Sequence, residues 1–193
     1  MNKYNQTRCS TKIFTIPNVL SMIRIALIPI MVVLFFNERY LATAILLVVS
    51  AVTDVVDGII ARRFNLVTEL GKALDPIADK LTQVVVTFCL GIKIRRMFIP
   101  LVLLVIKEVF TGITQLIIIK KKKIVVGADW YGKVTTVFLY FMLFLHMVWL
   151  NIPNPVSYSL IGIGIALMVT SCVLYAVRNL KIISRETDVN EQN

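Results

Sequence analysis

Asp54, Asp57, Asp75 and Asp79 lie inside or beside some of the most apolar sequence in the chain, within TDVVDGIIARRFNLVTELGKALDPIADK. A carboxylate at the centre of a membrane helix costs about 2.5–3.5 kcal/mol on insertion scales. Asp54 stands nine residues before Arg63, which at ~1.5 Å per helical residue is about 14 Å from the basic end of its segment. It stays ionised there only by lining a wet cavity and facing cations. Asp54 and Asp57 are three apart, and Asp75 and Asp79 four apart, so each pair shares one face of a helix. The connection from Arg62 to Lys72 is short enough to make the two helices antiparallel neighbours. All four carboxylates then converge at one end of a hairpin. Such a set suits a hard divalent cation, Mg2+ or Mn2+, with Ca2+ as the larger alternative. Two ions sharing a carboxylate fit the same set.

The neighbouring residues agree with an anionic ligand. Gly58 and Ala61 lie near the face of Asp54 and Asp57, and Gly71 stands one turn before Asp75, so backbone and ligand can approach closely. Arg62 is a cation placed to clamp a phosphate. Carboxylate-bound metal plus arginine is the layout of phosphoryl transfer. Taken singly, each aspartate also reads as a cap or a solvating group; Asp75 followed by Pro76 has the form of an N-cap with proline at the first helical position. Four aspartates at this spacing with the glycines read as a site. A cation or proton pathway is a rival of another class, and would give metal-dependent flux in liposomes without nucleotide release. Against it, the aspartates cluster at one end of their segments and Glu108 stands apart from them.

The elements that must hold these residues are membrane helices. Of 193 residues, 58% are hydrophobic and the mean hydropathy is +0.81, beyond a soluble globular domain. A spanning helix needs roughly 20 apolar residues. Six segments qualify as expected spans: Ile16–Phe36, Leu41–Ile60, Leu74–Ile92, Phe98–Ile119, Val134–Leu150 and Val156–Val177. The first apolar run is too long for the core of a signal peptide and no small-residue cleavage site follows it, so it is read as retained. Fourteen Lys and Arg fall in the two termini and the loops after spans two and four, against four on the opposite side. Both termini and the aspartate-rich loop are therefore expected to be cytoplasmic. The net charge of +10 is assigned to topology and anionic headgroups rather than nucleic acid. Cys9, Cys89 and Cys172 suggest no disulfide framework, and His146 reads as a packing residue. Residues 1–193 are expected to form one all-α membrane domain, with 1–15 as a juxtamembrane segment and 184–193 as a flexible tail.

The eight positions Asp54, Asp57, Gly58, Ala61, Arg62, Gly71, Asp75 and Asp79 resemble the full signature of the CDP-alcohol phosphatidyltransferases, with every spacing kept. The resemblance implies transfer of a phosphatidyl group from CDP-diacylglycerol to an alcohol with release of CMP, and two divalent metal ions. It implies that Asp54, Asp57 and Asp75 bind the metals and that Asp79 completes the site and takes the acceptor proton. Gly58, Ala61, Arg62 and Gly71 would hold CDP-diacylglycerol. It also implies a homodimer, probed by nothing else in the sequence. The segments IPNVLSMIRIALIP and GKALDPIADK are similar to the phosphatidylglycerophosphate synthase and cardiolipin synthase branch.

The acceptor follows from fewer residues. Arg24 lies near the cytoplasmic end of the first span and is a candidate phosphate contact, with snorkelling as the alternative. Phosphatidylglycerophosphate synthases commonly carry an Arg-Glu pair in the fourth span; here it is Lys107-Glu108. Lys107 keeps the charge without the bidentate fork, and the pair also reads as a buried contact that fixes helix packing. Lys133, in GADWYGK, is a further candidate, although that segment equally suits an interfacial aromatic anchor. Glycerol-3-phosphate is the expected acceptor, with phosphatidylglycerol as the alternative.

Overall fold

A computed structural model describes residues 16–63, 69–122 and 129–184. Side chains are described for these except at 16, 17, 57, 60–62, 69–75, 119–122 and 180–184. The described residues form six α-helices and one 3-10 turn, with no strand among them. The helices are α1 (Ile16–Phe36), α2 (Tyr40–Arg63), α3 (Glu69–Lys93), α4 (Phe98–Lys122), α5 (Trp130–Val148) and α6 (Asn154–Ser184). Four stretches among them are long and apolar enough to cross a membrane: Asn18–Phe36, Arg95–Ile118, Trp130–Val148 and Asn154–Asn179. A fifth, Tyr40–Val56, is apolar but shorter. The expected segments at residues 1–15 and 185–193 lie outside the described residues.

The first compact unit, Met1–Cys89, holds α1, α2 and most of α3. Helices α1 and α2 pack against each other through a connection of only three residues, Asn37 to Arg39. Glu38 adopts φ 59° there. Arg39 N–H donates to Leu34 O at 2.9 Å, and Glu38 N–H to Phe35 O at 3.0 Å. This is a Schellman ending with glutamate where glycine is usual. It turns the chain straight back, and Phe35 and Tyr40 close the corner with rings 5.2 Å apart.

The buried faces of this hairpin change character along their length. On α1 the buried residues are Asn18, Ser21 and Arg24, then Met31 and Phe35. On α2 they are Tyr40, Ala44 and Leu47, with Thr43 and Ser50 among them. The apolar half of these buried faces lies by the turn; the buried face of α1 far from it is polar. Threonines inside the helices send their hydroxyls back to their own backbone, as with Thr82 to Ala78 O at 2.9 Å and Thr87 to Gln83 O at 2.6 Å. A polar side chain is thereby satisfied without a second helix.

Helix α3 begins at Glu69, five residues before the expected span. Asp75 is therefore an interior helical residue and not an N-cap, and Pro76 stands inside the helix. It withholds the N–H that the carbonyl four residues earlier would accept.

The second unit, Leu90–Asn193, contains the end of α3, the turn Arg95–Met97, and α4 to α6. Helix α6 packs on both α4 and α5. Gly91 is closely covered, since a Cβ there would lie 3.3 Å from the Phe98 ring. His146, fully buried, has Nδ1 2.8 Å from Met142 O and Nε2 2.9 Å from Ser157 Oγ, which ties α5 to α6. That is the packing role expected of it. Near the other end of these two helices, Arg178 donates to Asp129 Oδ2 at 2.5 Å and lies over the Tyr175 ring at 4.9 Å. Asn179 Nδ2 donates to Thr114 Oγ1 on α4 at 2.9 Å.

Candidate active site

All eight signature positions belong to the first unit. Asp54, Asp57, Gly58, Ala61 and Arg62 occupy the second half of α2, and Gly71, Asp75 and Asp79 the first half of α3. Both pairs of aspartates therefore sit on regular helix at the ends that flank residues 64–68. Their three- and four-residue spacings place each pair on one helix face. The side chains of Asp57, Ala61, Arg62, Gly71 and Asp75 fall outside the described residues.

Asp54 is anchored from α1. Arg24 Nη1 donates to Asp54 Oδ1, and its Nη2 donates to Ser21 Oγ at 3.3 Å. Arg24 is 1% exposed and the Asp54 side chain 39%. The arginine is thus inside the helix pair, and does not snorkel to a membrane surface. The hairpin explains the pairing. Arg24 precedes Glu38 by 14 residues and Asp54 follows it by 16, so antiparallel helices rising ~1.5 Å per residue bring them level. Asp54 keeps an accessible side.

Asp79 is gripped within α3. Gln83 Nε2 lies 3.0 Å from each of its carboxylate oxygens, and Lys80 Nζ lies 3.3 Å from Oδ2. The Asp79 side chain is 15% exposed and Gln83 fully buried. Gln83 was not among the sequence candidates. A glutamine four residues after an aspartate, inside an apolar run, is the signal that finds it.

The remaining candidates lie in the second unit. Lys107 is 5% exposed and its Nζ is 3.1 Å from Glu108 Oε1. Lys133 is exposed on the first turn of α5. Beside it Trp130 is 73% exposed, while Tyr131 donates to Asp129.

The described donors suit a hard cation. Asp54 and Asp79 offer carboxylate oxygens only, the ligand type of Mg2+ and Mn2+. Among the described residues no three His, Cys, Asp or Glu gather as a ligand set; the side chains of Asp57 and Asp75 are not among them.

A family model described as CDP-alcohol phosphatidyltransferase matches residues 14–177. The chain is 39% identical over 116 residues to a CDP-diacylglycerol--glycerol-3-phosphate 3-phosphatidyltransferase of Rickettsia typhi; the match covers 58% of this chain and 65% of that relative. The chain thus spans a little under two thirds of that protein. A protein of the same description from Aquifex aeolicus is 30% identical over 176 residues, covering 89% of this chain and 99% of the relative. A cardiolipin synthase (CMP-forming) / mitochondrial hydrolase fusion protein of Schizosaccharomyces pombe is 38% identical over 81 residues, 42% of this chain and 14% of that protein.

Proposed function

The chain belongs to the CDP-alcohol phosphatidyltransferase family, and from that premise we propose that it transfers the phosphatidyl group of CDP-diacylglycerol to glycerol-3-phosphate, releasing CMP. The observation that carries this reading is the unbroken spacing of the eight signature positions along α2 and α3, on either side of residues 64–68. The Rickettsia and Aquifex relatives, both CDP-diacylglycerol--glycerol-3-phosphate 3-phosphatidyltransferases, support the acceptor.

In this reading Asp54, Asp57, Asp75 and Asp79 hold the metals, and Gly58, Ala61, Arg62 and Gly71 hold the nucleotide. A pair of divalent ions, Mg2+ or Mn2+, supplies charge neutralisation of the pyrophosphate when bound. The acceptor hydroxyl forms a bond to the phosphorus of the phosphatidyl group. The bond from that phosphorus to the CMP oxygen breaks, and CMP leaves as an anion. Asp79 takes the hydroxyl proton late, because a carboxylate is a weak base until the alcohol is nearly ionised. Arg24 contributes by holding Asp54 in place.

The four apolar helices make this an integral membrane protein. We extend that to six spans in one domain of the cell membrane, with both termini and the site cytoplasmic, and to a homodimer. The basic residues near the termini and the loops after α2 and α4 support the orientation.

A second reading keeps the chemistry and takes phosphatidylglycerol as acceptor, giving cardiolipin. Lys107-Glu108 in place of an Arg-Glu pair, and the similarity to the Schizosaccharomyces protein, favour it. The test is purified protein with labelled CDP-diacylglycerol and Mg2+, offered each acceptor separately. Phosphatidylglycerophosphate with stoichiometric CMP is expected. Release of CMP with phosphatidylglycerol alone would transfer the assignment to the second reading.

A further inference from the structure

Gln83 is a fully buried amide in a run of apolar residues, and its Nε2 sits at equal distance, 3.0 Å, from both oxygens of Asp79. A carboxylate only accepts, so the amide nitrogen must be the atom facing it. Equal distances put that nitrogen in the plane that bisects the carboxylate, between its two oxygens on the side a chelated cation would approach. The amide oxygen is buried and has no hydrogen-bond partner among the described residues. Reversing the amide would turn that oxygen against the carboxylate, so a single orientation is acceptable. The Gln83 backbone is held as well, its carbonyl accepting from Thr87 at 2.6 Å.

We infer that Gln83 is a positioning residue for Asp79: it fills the chelating position of the carboxylate, so that Asp79 meets a divalent cation or the acceptor hydroxyl through one oxygen at a time. The inference rests on the proposed metal-binding role of Asp79 and deepens it. Chemically, the consequence is cation choice. Mg2+ and Mn2+ accept single carboxylate oxygens in octahedral sites, whereas Ca2+ favours bidentate carboxylates at higher coordination number. An amide between the two oxygens therefore selects for the smaller ions. The buried, unpaired oxygen Oε1 is costly to leave so. It is suited to accept from a cation-bound water or from the acceptor hydroxyl once ligands enter.

The test is Mn2+ binding to the full-length protein in detergent, followed by electron paramagnetic resonance, with Ca2+ as competitor. Gln83→Met keeps the length and burial of the side chain and removes the donor. The concentration of Mn2+ for half-saturation should rise about tenfold or more, and Ca2+ should compete at a lower ratio to Mn2+ than in the wild type. A purely structural glutamine would not move that ratio. The wild type itself gives an independent reading. The Mg2+-induced infrared difference between wild type and Asp79→Asn should show the widely split carboxylate stretches of one-oxygen ligation. Narrowly split, chelating bands would overturn the inference whether or not the variant folds. So would an unchanged affinity and ratio in Gln83→Met while the wild type binds Mn2+ and releases CMP. A wild type that binds no Mn2+ and releases no CMP would instead overturn the proposed function.

Discussion

Arg24 of α1, almost fully buried, donates its Nη1 to Oδ1 of Asp54 on α2, so a signature carboxylate is held by a cation thirty residues earlier. Breaking a fully buried ion pair costs about 3–5 kcal/mol. Here Asp54 is 39% exposed, and water screens that side. Arg24→Met should therefore cost about 1–3 kcal/mol, read as a fall of roughly 3–10 °C in melting temperature in detergent. Combining it with Asp54→Leu should cost less than the two single changes added, because both remove one contact. Additive losses would show that the pair is not coupled.

Removal of a carboxylate should end turnover without unfolding. Asp57→Ala and Asp79→Ala are each expected to lower CMP release by at least about 10²–10³-fold. Gel-filtration elution and circular dichroism should match the wild type. Retained turnover in either variant contradicts its assignment to the site.

Chelation should act in the same direction. With EDTA, CMP release should fall to background, and added Mg2+ or Mn2+ should restore it. Turnover that persists in excess chelator would exclude the metal-held pyrophosphate.

Gly132 tests the packing of α5 on α6. A Cβ at this position would clash with the Tyr175 hydroxyl and lie 3.0 Å from its Cζ. Tyr175 has little room to yield: it is 5% exposed, 4.8 Å from the Tyr131 ring and 4.9 Å from Arg178 Cζ. Gly132→Ala should destabilise by about 1–3 kcal/mol through overpacking. Adding Tyr175→Phe removes the nearest atom and should recover part of the loss. Gly112, with nothing within 4 Å of a Cβ, is the control: Gly112→Ala should stabilise by up to about 1 kcal/mol through helix propensity. Thermal melts of the four proteins decide the matter.

Hydropathy located the helices well where the apolar run and the helix end together, as in α1, Ile16–Phe36. It located them less well where helix continues beyond the lipid-soluble part. Helix α3 starts at Glu69, and α4 and α6 extend to Lys122 and Ser184. A hydrophobic window measures transfer to lipid, whereas the helix is held by backbone hydrogen bonds that polar residues continue equally well. The same difference explains Asp75-Pro76. Proline is tolerated at a helix start, and local sequence alone read it as one, but the helix had begun six residues before Asp75.

The motif named the family, and the match over residues 14–177 agrees, because ligand spacing on a helix is a local property. Three- and four-residue intervals put carboxylates on one face whatever the rest of the chain does. Long-range partners carry no such local mark. That Arg24 meets Asp54 depends on a left-handed residue at Glu38 giving the two helices arms of nearly equal length. That Lys107 is buried against its own neighbour Glu108 depends on how α4 is covered, which its composition leaves open. Sequence by itself determined the helical class and the signature. Tertiary structure decided which cation secures Asp54, and it buried the Gln83 amide that four-residue spacing sets against Asp79. Which residue of another helix meets Asp54 and which faces are covered depend on how the chain turns, and side-chain spacing along one helix does not encode either.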